Sequence, residues 1–316
     1  MKSDHSEPHS ASRGYLAALS SSLLLSTTAI FIRYLTETYQ LPALVLAFWR
    51  DLIVAAALLI VLGVFWRRLL HPGRPNLPYL VVFGIVLAVF NALWTLSVAL
   101  NGASIATVLV YSSAAFTALL GWWFLRETLD WAKGGSVVFA LAGCSLVVGA
   151  FGAASAEITL PGVVIGLLSG LGYAVYTMMG RSASQRGINP WTSLLYTFAF
   201  ASVLLFVVNL VPGGWLPGAA SEPSDLFWLG DSLSGWLILI ALAAVPTLGG
   251  FGLYNVSLVT LSSSVANLVL TTEPVFTVLI AYALLGERLS PPQIAGSLLI
   301  LTGVVLLRVR ERRKAL

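Results

Sequence analysis

A chain of 316 residues with 58% hydrophobic and 9% charged side chains cannot cover a surface facing water, because soluble chains carry about 25% charged residues. Its formal net charge of +4 does not point to nucleic acid: the basic residues fall in short connections and near the C-terminal end, where they orient membrane helices. The single cysteine, Cys144, excludes an intramolecular disulfide.

Residues 1–13 read as a polar cytosolic tail, not a cleaved leader. Crossing the hydrocarbon core takes about 20 apolar residues. On that basis the chain divides into spans at 14–35, 41–63, 77–98, 102–125, 131–151, 161–181, 190–211, 234–257, 262–285 and 291–308. The runs are long and continuous, unlike the short alternating strands of a membrane barrel. Turn and charge signals separate them: HPGRPN at 71–76, Asn101–Gly102, RGINP at 186–190, PGGW at 212–215 and SPP at 290–292. With the N-terminus inside, fourteen of the seventeen basic residues fall in cytosolic segments. Only Arg33 and Arg288 lie outside, and Arg50 lies within a span. The outer segment 212–233 holds three acids and no basic residue. This asymmetry supports ten spans with both termini cytosolic.

The sequence also matches itself in two registers. At an offset of 148, Gly14, Ser21, Arg33 and Pro42 meet Gly162, Ser169, Arg181 and Pro190. At an offset of 160, Ala106, Phe116, Thr117, Leu125, Glu127, Leu129 and Gly143 meet Ala266, Phe276, Thr277, Leu285, Glu287, Leu289 and Gly303. The 212–233 loop absorbs the difference. The expectation is an all-α integral membrane protein with ten transmembrane helices as two inverted five-helix repeats, 14–151 and 161–308, between a cytosolic tail (1–13) and a basic one (309–316). An odd number of helices per half turns the second half upside down, an architecture shared by many secondary transporters.

Three stretches carry a family likeness: LPALVLAFWRDLIVAAALL in the second span, ALLGWWFLRETL at the end of the fourth, and SVANLVLTTEPVFTVLIAYALLGERLSPPQIAGSLLILTGVVLL from the ninth span onward. Over roughly residues 14–308 the chain resembles the drug/metabolite transporter superfamily, in its branch of ten-helix EamA-type permeases, which includes an aromatic amino acid exporter type. The resemblance implies export of amino acids, metabolites or toxic cations; distant relatives carry nucleotide sugars or phosphorylated sugars. The second-half counterpart of Arg50 is Phe198, so that position is not duplicated.

Ionisable side chains at membrane depth are costly and mark function or buried pairs. The candidates are Arg50, Asp51 and Glu273. Arg50 reads either as a clamp for a substrate carboxylate or as the partner of Glu273 or Asp51. Asp51 compensates Arg50 or a backbone donor, ligates, or takes a proton. Glu273 binds an amine, takes a proton, or belongs to a helix kink with Pro274, whose missing N–H frees a carbonyl one turn back. Polar and aromatic residues within spans complete the candidate substrate site: Asn91 and Trp94, which share a stripe with Ser97, then Tyr111, Tyr173, Tyr176, Tyr254, Asn255, Asn267 and Thr271. The same residues suit interhelical packing. Gly162, Gly166 and Gly170, with Gly249, Gly250 and Gly252, read as close helix contacts. Trp122, Trp123 and Trp228 read as interface anchors, and the Glu127 and Glu287 exits as helix caps.

No phosphate-binding loop of the GxxxxGK[ST] type occurs. The histidines, His5, His9 and His71, lie in the tail and a loop. The expectation is therefore no metal, cofactor or catalytic centre and no nucleic acid. The partners are membrane lipid and a small molecule, by preference a neutral amphipathic one such as a hydrophobic or aromatic amino acid. A cationic-drug exporter and a nucleotide-sugar or phosphorylated-metabolite carrier are the alternatives. The expected location is the inner cell membrane.

Overall fold

The structure is a computed structural model, and it describes residues 8–125, 131–148, 159–211, 213–257, 261 and 263–315. Every regular element among the described residues is helical. The order is α1 (Pro8–Thr38), α2 (Ala43–Phe65), α3 (Leu77–Val110), α4 (Ser113–Leu125), α5 (Trp131–Val148), α6 (Leu160–Gln185), α7 (Pro190–Leu210), α8 (Leu233–Leu242), α9 (Phe251–Ser257), α10 (Ser263–Leu270), α11 (Glu273–Leu285) and α12 (Pro291–Ala315). Among the described residues, six stretches are long and apolar enough to cross a membrane: α1, α2, α3, α6, α7 and α8 through α9. Parts of α5, α11 and α12 form shorter apolar helices.

Two of the spans expected as single helices are interrupted. The stretch 102–125 turns sharply at Gly102 (φ 79°), which joins it to α3, then breaks again between Val110 and Ser113. The stretch 262–285 breaks between Leu270 and Glu273. Both breaks are tight turns with the same hydrogen bonds: Ser112 N–H to Leu109 O and Ala115 N–H to Ser112 O, then Thr272 N–H to Val269 O and Val275 N–H to Thr272 O. The two sets lie 160 residues apart. In α11 the cause is Pro274 at the first turn. In α4 the corresponding residue is Ala114, and the same turn forms without a proline.

Between α8 and α9 the chain widens into a π-helical stretch, Ala243–Gly250, around Pro246. Pro246 cannot bond the carbonyl of Leu242, four residues earlier. The Thr247 hydroxyl donates to that carbonyl instead, at 3.3 Å. Hydrocarbon offers no water to do so, and a wide turn with a nearby hydroxyl is the available remedy.

Helix α3 packs along α6 and α7, α2 along α7, α5 along α12, and α1 against the π stretch, α9 and α11. Small residues set the close approaches. A Cβ on Gly166 would lie 2.5 Å from Leu109 Cδ1, and one on Gly170 would lie 2.6 Å from Ser112 Oγ. Thus the GVVIGLLSG stripe of α6 seats α3 and the break after it. Gly250 likewise meets Leu25, whereas Gly252 faces open space, so close packing fails at that one glycine. Trp122 and Trp123 are exposed, and Trp228 donates from Nε1 to Tyr39 O, tying the 213–232 connection to the end of α1.

The α5–α12 contact brings backbone against backbone: a Cβ on Gly143 would lie 2.5 Å from the Gly296 carbonyl oxygen. Because that atom is backbone, the helices must separate to admit a side chain. Gly143→Val should cost about 1–3 kcal/mol, read as a lower melting temperature in detergent. Gly134→Ala in the same helix, with nothing within 4 Å of its added Cβ, should leave melting unchanged.

Candidate substrate and coupling site

Two polar centres lie within the apolar bundle. The first is built by α2 and α3. Arg50 Nε lies 3.3 Å from Asp51 Oδ1, and Asn91 Nδ2 donates to both Asp51 oxygens at 2.9 Å. Adjacent residues leave a helix about 100° apart, so the guanidinium folds back to reach its neighbour. Both residues are buried, Arg50 at 4% exposure and Asp51 at 0%. Arg50 Nη2 has no hydrogen-bond partner among the described residues, so the guanidinium retains a donor for another group. Of the two partners expected for Arg50, Asp51 is the one it meets and Glu273 is not: Asp51 is nearer in the chain and is already held by Asn91.

The second centre joins the two helix breaks. Pro274 frees the carbonyl of Leu270, and Tyr111 Oη lies 3.1 Å from that oxygen and 3.0 Å from Glu273 Oε2. Tyr111 belongs to the first break and Glu273 to the second. Beside them Ser22 Oγ and Thr272 Oγ1 share a hydrogen bond of 2.9 Å between α1 and the second break, and Thr277 Oγ1 donates to Ser26 O.

Aromatic rings of α3 and α6 pack together. Phe90 lies 5.1 Å from Tyr173 and 6.1 Å from Tyr176, centroid to centroid, and Phe83 lies 4.9 Å from Tyr176. Tyr173 and Tyr176 stack at 6.4 Å. Phe90 precedes Asn91 in the chain, and Trp94, buried one turn on, packs with Phe90 and Tyr111 into one core cluster. Asn91, Trp94 and Ser97 are all buried, as their shared stripe requires. Tyr254 packs against the cluster of Ala18, Leu261 and Ala266. Thr271 sits in the second break. The side chains of Asn255 and Asn267, and all of Glu127, lie outside the described residues.

One charged group underused by sequence reasoning is Glu287. Its carboxylate accepts from the Ala103 N–H at 2.6 Å and the Ser104 N–H at 2.9 Å. The expected capping role is therefore met on a helix segment far away in the chain. The sequence signal was the Asn101–Gly102 pair, which marks the turn whose donors need an acceptor.

With this geometry in hand, comparison with known proteins gives the family. The EamA-like transporter family model matches twice, at residues 12–149 and 160–309, and the chain belongs to that family. It is an integral membrane protein. It is 26% identical to the uncharacterized transporter sll1319 of Synechocystis over 79% of this chain and 73% of the relative. To the uncharacterized transporter YwfM of Bacillus subtilis it is 26% identical over 84% of each, and to YcxC of the same bacterium 23% over 97% and 96%. A solved crystal structure of a protein matches in fold over 96% of this chain and 98% of that chain, with a TM-score of 0.58 and 19% identity.

Removing one partner of a buried ion pair costs about 3–5 kcal/mol, while replacing both with apolar groups costs far less. Asp51→Leu should therefore lower the melting temperature more than the double change Arg50→Met with Asp51→Leu. Tyr111→Phe deletes the hydroxyl that serves Leu270 O, with an expected loss of about 1–3 kcal/mol in the same melting assay. Tyr34→Phe, at an exposed ring, should cost nothing measurable there.

Proposed function

We propose that the chain is a secondary transporter that exports small neutral amphipathic molecules, first among them hydrophobic or aromatic amino acids, by alternating access between two inverted five-helix repeats with both termini cytosolic. The single observation that carries this reading is the pair of helix breaks 160 residues apart, bridged by Tyr111 and Glu273. Interrupted helices at membrane depth supply polar groups where a transporter needs to hold cargo. The double match of the family model supports the two repeats, and their odd helix number implies the inversion.

An amino acid brings a carboxylate, an ammonium and a side chain, and each has a complement here. Arg50 retains an unpaired guanidinium nitrogen for the carboxylate. Glu273 offers a carboxylate for the ammonium. Phe90, Tyr173 and Tyr176 offer ring faces for the side chain. With one net cation at most, the site suits a phosphate dianion poorly.

Glu273 also fits a proton step. One Tyr111 hydroxyl hydrogen faces two acceptors, Leu270 O and Glu273. A proton on Glu273 reverses the second bond, so that Glu273 donates to Tyr111 and Tyr111 to Leu270 O. Binding of an ammonium would displace that proton.

In proteoliposomes, radiolabelled aromatic amino acids should cross faster than through empty vesicles, and Arg50→Met with Asp51→Leu should abolish the difference. If no amino acid crosses above the empty control, the cargo assignment fails; inhibition by a quaternary ammonium compound alone would favour the cationic-drug reading. Glu273→Gln should remove any stimulation by an imposed pH gradient, and stimulation that persists in this variant would exclude proton coupling through Glu273.

A further inference from the structure

We infer that Glu287 and Arg33 form a latch that holds one end of the molecule shut, so that releasing it opens the bundle toward the side opposite the chain termini. This rests on the transport reading above. The latch sits at the turn made by Gly102. There the helix ladder of α3 is interrupted, which leaves the carbonyl of Ala99 without the Ala103 N–H and leaves the N–H groups of Ala103 and Ser104 without helical acceptors. Arg33 Nη1 donates to Ala99 O at 2.7 Å, and the Glu287 carboxylate takes both orphaned N–H groups. Each charge faces the helix end of opposite partial charge. The two are linked in turn: Arg33 Nε lies 3.9 Å from Glu287 Oε1, and Arg33 also pairs with Glu37.

The glycine is required twice over. Its φ of 79° is left-handed, and any Cβ would lie 2.7 Å from Glu287 Oε1. A backbone that admits a carboxylate this closely is shaped to receive it.

The latch is one end of a longer seam. The segment 103–110 of α3 runs from Glu287 to Tyr111, while α11 runs from Glu273 to Leu285 just before Glu287. Bonds at both ends, Glu287 to Ala103 and Ser104 and Glu273 to Tyr111, make the two segments antiparallel neighbours. Ala103, Ala106 and Val110 share a core cluster with Ala281, Ile280 and Leu285. Among the described residues, the continuations past the breaks, α4 and α10, show no comparably extensive packing on each other. The seam between 103–110 and α11 is, among the described residues, the closed half. Arg181, which matches Arg33 at the 148-residue offset, is exposed.

The carboxylate of Glu287 is 16% exposed, within reach of water when the seam parts. Three charge-assisted contacts held by one side chain make Glu287 the point where the closed state is most easily undone.

The test uses Val110→Cys in a Cys144→Ala background, as the sole thiol behind the latch, and a membrane-impermeant maleimide applied to sealed vesicles of either orientation. Replacing Glu287 with Gln should raise labelling from the side opposite the termini by about tenfold, the size expected for losing a hydrogen bond to a charged group, and leave labelling from the other side equal or lower. Arg33→Gln should act in the same direction but less, and serves if Glu287→Gln does not fold. The inference is overturned if neither variant raises labelling from that side, or if both sides rise together, which would mean general loosening. The assay needs no cargo. A sided change without amino acid transport would leave the latch standing and remove the amino acid assignment.

Discussion

The hydrogen bond from Tyr111 to the carbonyl of Leu270 is the contact on which the arrangement of this molecule turns. Pro274 removes one N–H from a helix in a medium with no water to replace it, and an unsatisfied carbonyl there costs several kcal/mol. A local hydroxyl would have sufficed, as Thr247 suffices for Leu242 beside Pro246. Here the donor comes instead from a residue 159 positions earlier, at the other helix break. Satisfying the proline therefore fixes two distant interruptions against each other and brings Glu273 to the same hydroxyl.

The rest of the site follows from similar accounting of polar groups. Asp51 is acceptable in the bundle because Asn91 and Arg50 both serve it. Among the described residues Arg50 keeps one nitrogen without a partner, which is a cost to folding and an opportunity for a ligand. Glu287 and Arg33 are placed where the Gly102 turn leaves donors and an acceptor exposed. Each charge sits where interrupted backbone or an opposite charge can hold it.

Much of this was legible in the sequence, and the exceptions have physical causes. Apolar runs and the distribution of basic residues gave the membrane class, and the Glu-Pro of 273–274 announced a freed carbonyl. The register at offset 160 matched 106, 116 and 117 with 266, 276 and 277, and the two breaks fall in that same register at 111–112 and 271–272. The first break itself was not legible, because Ala114 carries no sign of the turn that Pro274 explains in the second. Of the two partners the sequence left open for Arg50, Glu273 and Asp51, it takes Asp51, because a flexible guanidinium can fold onto its own neighbour. Glu287 was read as a local cap because sequence distance hides that the N–H groups it accepts from belong to Ala103 and Ser104.

The account stands or falls on the two breaks meeting. Its most direct test places cysteines at 111 and 270, in a Cys144→Ala background with a protease site inserted in the 213–231 connection, and treats the protein in membranes with a short bifunctional thiol reagent. The account predicts that the two fragments stay joined after cleavage, while a control pair at 111 and 305 releases them. Separation of the 111/270 fragments as readily as the control would contradict it.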